Sequence, residues 1–207
     1  EATGGTLDAR FNNGAYAIPG GGEDIPTDGL RALFEANFFG WHELTRQVLP
    51  VMRAQGHGCV VQCSSVLGFI GMPWRGAYNA SKHALEGLTD TLRIEMRDTP
   101  IHIVLIEPGP ITSEFRANAI LQFEKWVDWQ ASARAEQYAG PLRAQLYGST
   151  EKASFELPPE AVVAKLVHAL EAPRPRPRYF VTTPTYIMGV LRRLLPTRAM
   201  DWVLSRG

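Results

Sequence analysis

The chain has 207 residues, 45% of them apolar and 20% charged, enough for one domain with its own core and typical of a globular protein in water. Its 21 Lys and Arg balance 21 Asp and Glu, so charge gives no sign of a nucleic-acid partner or an acidic tail. Cys59 and Cys63, the two cysteines, stand inside the apolar run GCVVQCSS, which argues against a disulfide framework and for buried thiols in a reducing compartment.

The opening EATGGTLDARF has neither the basic nor the apolar region of a secretory leader, and no apolar run reaches the roughly 18 residues of a membrane span, so a cytoplasmic location is expected. Leu7–Ala17 reads as a strand entering a turn at Asn12, Asn13 and Gly14. PGGGEDIPTDG is a loop by composition, after which Asp28 is placed to cap a long helix running to about Arg53. Leu30, Leu33, Phe34, Asn37, Phe38, Trp41 and Leu44 fall on one broad face of it, and Gly56-His57-Gly58 ends it. CVVQCSS is a buried strand, Tyr78 to about Arg97 a second long helix, and Ile101–Gly109 a β-branched strand stopped by Pro108 and Gly109. Residues 113–157 form an irregular, partly helical insertion with Phe115, Ile120, Phe123, Trp126 and Trp129. PPEAVVAKLVHALEAP is a helix with proline near its first turn, and Arg178–Thr183 a last strand. Strands alternating with helices predict an α/β fold with a parallel sheet covered on both faces.

Ligands of such sheets gather beyond the C-terminal strand ends. Ser64 and Ser65 sit at one end, with the Asn12-Asn13 and Pro108-Gly109 turns at two others. Tyr78 and Lys82 are four residues apart and share a helix face. An ammonium beside a phenol favours the phenolate, and a shift worth about 3–4 kcal/mol would bring the phenol within working range of neutral pH. Such a tyrosine can give or take the proton of a carbonyl/alcohol pair. The five histidines show no metal-ligand spacing, so no metal is expected.

Tyr78-Asn79-Ala80-Ser81-Lys82 resembles the Tyr-x-x-x-Lys signature of the short-chain dehydrogenase/reductase family. Ser65, thirteen residues upstream, matches that family's catalytic serine, and Asn37 the asparagine of the same tetrad. Asn12-Asn13-Gly14-Ala15 is similar to its Asn-Asn-Ala-Gly turn with the last two residues interchanged, and Pro108-Gly109-Pro110-Ile111-Thr112-Ser113 to the Pro-Gly motif that grips the nicotinamide. The likeness is close over residues 7–115 and looser beyond. It implies a Rossmann-like doubly wound parallel sheet and an NAD(P)-dependent oxidoreductase. In that reading Tyr78 is the general acid or base, Ser65 polarises the substrate oxygen, Lys82 tunes Tyr78 and binds the ribose, and Asn37 holds a proton-relaying water. Asn12, Asn13, Gly14, Tyr78, Lys82, Pro108, Gly109, Ile111 and Ser113 would line the cofactor site. NAD or NADP is implied, NADP being favoured without a residue to decide it.

Each residue also has a plainer reading: Ser65 as a turn cap, Tyr78 and Lys82 as ordinary helix residues, Asn37 as a polar face, Asn12 and Asn13 as ties between strands, and Ser113 as a loop residue. The family's opening strand, glycine-rich turn and helix, and two further strands, have no counterpart. Thr3-Gly4-Gly5 is followed by Asp8 and Arg10 where glycines belong. The chain is therefore expected to be a single partial domain, 1–207, holding the catalytic half of the site, and to fold poorly in isolation. Residues 113–157 match the family's substrate lid, and their aromatic residues point to a bulky apolar carbonyl or alcohol; alternatively they are a core patch. The amphipathic tail 184–207, with Ile187, Val190, Leu191, Leu194 and Leu195 beside Arg192, Arg193 and Arg198, packs on its own domain, on a partner subunit, or on a membrane surface. The helices at 28–53 and 78–97 resemble those through which the family forms homodimers and homotetramers. The rival functions are a catalytically silent dinucleotide sensor or scaffold, and an epimerase or dehydratase on nucleotide sugars.

Overall fold

The structure, a computed structural model, describes residues 4–148 and 155–205. Thr3, residues 149–154 of the expected lid and the last two residues of the tail lie outside the described residues. Four parallel strands form one sheet in the order β1 (Ala9–Asn12), β2 (Gly58–Cys63), β3 (Ile101–Glu107), β4 (Arg178–Phe180). Phe11 pairs with Val61 and Val61 with Val104, while Ile106 pairs with Tyr179. β2 is buried at every position and β3 at all but His102, as expected of strands covered on both faces.

On one face Val60, Ile101 and Ile103 pack with Met52, Val48 and Leu92 from the two long helices. On the other, Cys59, Val61, Val104 and Ile106 meet Ala169, Val162 and Leu166 of α7 (Glu160–Glu171). β1 is shorter than Leu7–Ala17, and β4 stops at Phe180, because the chain turns to begin another helix at Thr183.

The first long helix differs in two respects from its expected form. Its entry is Pro26, without a side-chain cap, so α1 (Thr27–Phe34) starts one residue before Asp28. Asp28 lies in the first turn and pairs with Arg31 at 3.1 Å; a carboxylate there complements the helix dipole without capping. Between α1 and α2 (Gly40–Gln55) the turn Glu35–Phe39 is π-helical. The extra residue rotates everything after it, so Thr45 is buried where the 3.6-residue period placed Leu44, which is exposed. Gly56, left-handed at φ 80°, closes the helix as expected.

α3 (Gly76–Glu95) carries the Tyr78 motif. Residues 113–148 form α4 (Phe115–Trp126) and the short helices α5 (Ala135–Gln137) and α6 (Arg143–Tyr147). This segment closes over its own cluster, with Phe123, Val127, Tyr138, Leu142 and Leu146 packed on Ile18, Leu33 and Ala77. The tail is two helices, α8 (Thr183–Leu194) and α9 (Thr197–Leu204), separated at Pro196. Ile187, Val190 and Leu194 of α8 are exposed, while Leu191 and Leu195 are half-buried and the Tyr186 ring stands edge-on to Phe180 at 5.4 Å.

Candidate active site

Ser65 is the second residue beyond the end of β2, and its Oγ accepts the Leu67 N–H at 3.1 Å, turning the chain into a loop that leads to α3. Asn79 pins that loop: its Nδ2 donates to the carbonyls of Ile70 (2.5 Å) and Leu67 (3.2 Å). The loop is closed at its far side by Trp74, whose φ of 62° is left-handed, and by the Gly20 N–H donating to the Trp74 carbonyl at 3.0 Å. A left-handed tryptophan stores strain that only a well-anchored loop retains.

These anchors bring the Ser65 hydroxyl close enough to the Tyr78 phenol to act on its ionisation. Ala17, Ala119, Leu67 and Phe115 surround the phenol, the Phe115 ring standing edge-on 5.2 Å away. Lys82, one turn along α3, is fully buried; its Nζ donates to the Cys63 carbonyl at 2.8 Å and lies 4.2 Å from the centre of the Trp41 ring.

The electrostatics depart from the sequence expectation. The Tyr78 phenol is raised above its ordinary value, because burial disfavours the phenolate and Cys63 opposes it, and only the Ser65 hydroxyl pulls the other way. Lys82, whose Nζ lies 5.6 Å from the centre of the Tyr78 ring, does not offset this: its ammonium donates to the Cys63 carbonyl and is itself depressed to about 8 by burial, against the pull of Cys63 and Glu86. Burial, not the neighbouring charge, dominates both groups.

Asn37 sits in the π-helical turn, wholly buried, accepting from the Tyr16 N–H (3.1 Å) and donating to the Tyr16 carbonyl (2.8 Å) and Ser81 Oγ (3.3 Å). Ser81 in turn donates to the Tyr78 carbonyl at 2.8 Å, so Asn37 ties the β1 loop to α3. Asn12 binds strands together: its Nδ2 donates to Gln62 Oε1 (2.9 Å) and Thr45 Oγ1 (3.2 Å) and its Oδ1 accepts from Arg10. Asn13 and Gly14 are exposed at the same strand end, where the Gly14 carbonyl accepts from Trp41 Nε1. Pro108 offers its carbonyl to the Val66 N–H (2.8 Å) and to Ser65 (3.4 Å), which joins the β2 and β3 ends. A Cβ on Gly109 would overlap the Thr182 hydroxyl, so glycine lets this turn lie against the start of α8. Ile111 bridges to Leu157, and Ser113, exposed, donates to the Ile111 carbonyl at 3.3 Å while accepting the Phe115 N–H.

Sequence reasoning missed Asn79, Phe115 as the wall over Tyr78, and a buried charged group below Lys82. Arg178 contacts the carboxylates of Glu86, Glu107 and Asp90. The signals were present: Glu107 ends an otherwise apolar strand, and Glu86 and Asp90 continue the four-residue spacing of Tyr78 and Lys82.

Residues 1–122 match the family model of the short chain dehydrogenases. The oxidoreductase YbbO of Escherichia coli strain K12 is 42% identical over 195 residues, covering 94% of this chain and 66% of its own. An NADPH-dependent 3-dehydrocapnine reductase of Ornithobacterium rhinotracheale is 31% identical over 97% of this chain and 70% of its own. A short-chain dehydrogenase from Streptomyces avermitilis superposes with a TM-score of 0.73 at 26% identity, over 99% of this chain and 71% of that one. The chain thus spans about two thirds of the length of these relatives, over the part that bears the serine, tyrosine and lysine. With a parallel sheet whose strand ends assemble those side chains, it belongs to the short chain dehydrogenase family.

Proposed function

We propose that this chain is the catalytic portion of an NAD(P)-dependent oxidoreductase acting on a carbonyl or secondary alcohol with a bulky apolar body. The meeting of the Ser65 hydroxyl with the Tyr78 phenol at the C-terminal end of β2 carries the reading, because one substrate oxygen can contact both. Ser65 donates to that oxygen and polarises the carbonyl, and Tyr78 delivers the proton in reduction or removes it in oxidation. A raised phenol is protonated at neutral pH, which suits the donor role and hence reduction.

The residues fit the nicotinamide end of a dinucleotide: exposed Asn13 and Gly14 on one strand end, Ile111 and Ser113 on another, and the two hydroxyls between them. That group, when bound, supplies or accepts the hydride. NADP is favoured by the name of the Ornithobacterium reductase. We read residues 113–157 as the substrate lid: Phe115 and Ala119 wall the phenol while Phe123 and Trp126 anchor the segment. A desolvated phenol under an aromatic wall accepts an apolar substrate more readily than a charged one. A second copy docked through α1–α3 and a peripheral membrane contact by α8 are the associations this reading allows.

The test is NADPH oxidation by the full-length protein against a panel of long-chain and polycyclic ketones. Tyr78→Phe should abolish turnover with NADPH binding retained. Full activity in that variant would remove Tyr78 from the chemistry, and identical ligand binding without turnover in both proteins would favour the sensor.

A further inference from the structure

Charge is not spread evenly along the chain. Residues 158–207 carry eight Lys and Arg against three Asp and Glu, in a chain whose total is zero. Four of those cations, Lys165 of α7, Arg176, Arg178 of β4 and Arg193 of α8, line one cleft of about 190 Å3. Arg178 is committed to Glu86, Asp90 and Glu107. Lys165, Arg176 and Arg193 form no salt bridge among the described residues, and no carboxylate stands among the side chains of the cleft wall. Like charges facing one concavity repel each other and focus a field that attracts an anion.

The cations are held in place. Pro175 and Pro177 stiffen the backbone on either side of Arg176, whose own N–H donates to the Tyr179 hydroxyl at 2.9 Å. That hydroxyl also meets Nδ1 of His168 on α7 at 2.9 Å, so the segment is tied to the helix that presents Lys165. From the other side Tyr186 and Arg193, seven residues apart, share one face of α8, and the Tyr186 ring is fixed edge-on to Phe180 of β4. Beside Arg193 the outer face of α8 is apolar. Ile187, Val190 and Leu194, at helical spacing, are 48%, 55% and 73% exposed. An aliphatic stripe next to an uncompensated group of cations complements an amphiphile with an anionic head.

We propose that this end of the domain docks on an anionic phospholipid surface, the cleft between α7 and α8 taking a headgroup phosphate while Ile187, Val190 and Leu194 enter the acyl boundary. The proposal gives the contact open to α8 a chemical partner. It stands whether or not the chain is an oxidoreductase, because binding to vesicles is read without turnover. The volume suits one phosphate group: pockets for whole small-molecule ligands begin near about 300 Å3. A second copy related by a two-fold axis at this edge would set the cations of both copies against one another. Cations also guard an edge strand such as β4 against pairing, but guarding needs no apolar stripe beside them.

The test is sedimentation of the full-length protein with vesicles of phosphatidylcholine, alone or mixed with phosphatidylglycerol. Binding should be confined to the mixed vesicles and should weaken as salt is added. Lys165→Ala, Arg176→Ala and Arg193→Ala should each lower the partition about fivefold, and the triple variant about a hundredfold, while Lys165→Arg and Arg193→Lys keep most of it. Leu194→Ser should weaken binding and leave its salt dependence unchanged. All four side chains are exposed or half-buried, so melting temperatures should not move. No binding to the mixed vesicles, equal binding to both kinds, or a triple variant that binds like the wild type would overturn the proposal. Where the mixed vesicles are not bound, calorimetric uptake of inorganic phosphate would assign the cleft to a free anion, and self-association lost in Leu194→Ser would assign the stripe to a second copy.

Discussion

Lys82 provides a quantitative test because its environment is one-sided. It is fully buried, and burial depresses its ammonium from an ordinary value near 10.5 to about 8. Each tenfold change in an acid constant is about 1.4 kcal/mol, so the buried charge costs the folded state about 3 kcal/mol. The sign follows from linkage. At pH 7 both folded and unfolded chains carry the proton and the full cost is present. Between pH 8 and 10.5 the folded lysine has lost its proton while the unfolded one keeps it, so this group's contribution to stability rises with pH and the cost disappears. Lys82→Met has no such term. The charge-dependent part of the Lys82 bond to the Cys63 carbonyl and of its contact with Trp41 belongs to the same titration, and the packing lost with the side chain cancels when the variant is compared with the wild type at two pH values. Urea unfolding of both proteins at pH 7 and pH 10.5 should therefore show the stability difference moving by about 3 kcal/mol, with Lys82→Met relatively more stable at pH 7. A difference that stays constant over that range would refute the assignment of the depressed value to burial.

Other perturbations probe how the site is held. Gly109→Ala should destabilise by about 1–3 kcal/mol, since its methyl overlaps the Thr182 hydroxyl and lies 2.9 Å from Thr185; Thr182→Ala should recover part of the loss in thermal melts. Asn79→Ala leaves the Leu67 and Ile70 carbonyls without their donor and should cost about 1–3 kcal/mol, with faster amide exchange over residues 66–70 than in the rest of the sheet. Phe123→Ala empties the centre of the lid cluster and should cost about 3–5 kcal/mol, read as early proteolytic cleavage within residues 113–148 while the sheet amides stay protected.

Much of this site was legible in one dimension. β2 and β3 are short β-branched runs with buried neighbours on both faces, and the alternation of such runs with long periodic helices is enough for a parallel sheet. Ser65, Tyr78 and Lys82 were singled out by a strand end, by four-residue helical spacing and by their likeness to the family's serine and Tyr-x-x-x-Lys signature. Asn37 was singled out by its likeness to the family's asparagine, and its place on an apolar face added weight. Its surroundings were not, because the π-helical turn that buries it, and that exchanges Leu44 for Thr45 in the core, has no mark in the hydrophobic period.

By itself the sequence determined which groups are present and which share an element: a phenol, an ammonium and two carboxylates in one row of α3, and a serine at a strand end. The tertiary structure decided what those groups are worth. Whether Lys82 lowers Tyr78 depends on how much water each retains, and Phe115, Ala119 and Trp41 arrive from segments far away in the chain to remove it. Whether Glu86 is a solvated helix charge depends on Glu107 and Arg178, which reach it only because β3 and β4 pair beside α3. Desolvation and ion pairing are sums over neighbours in space, and spacing along a chain fixes only those neighbours that lie within one helical turn.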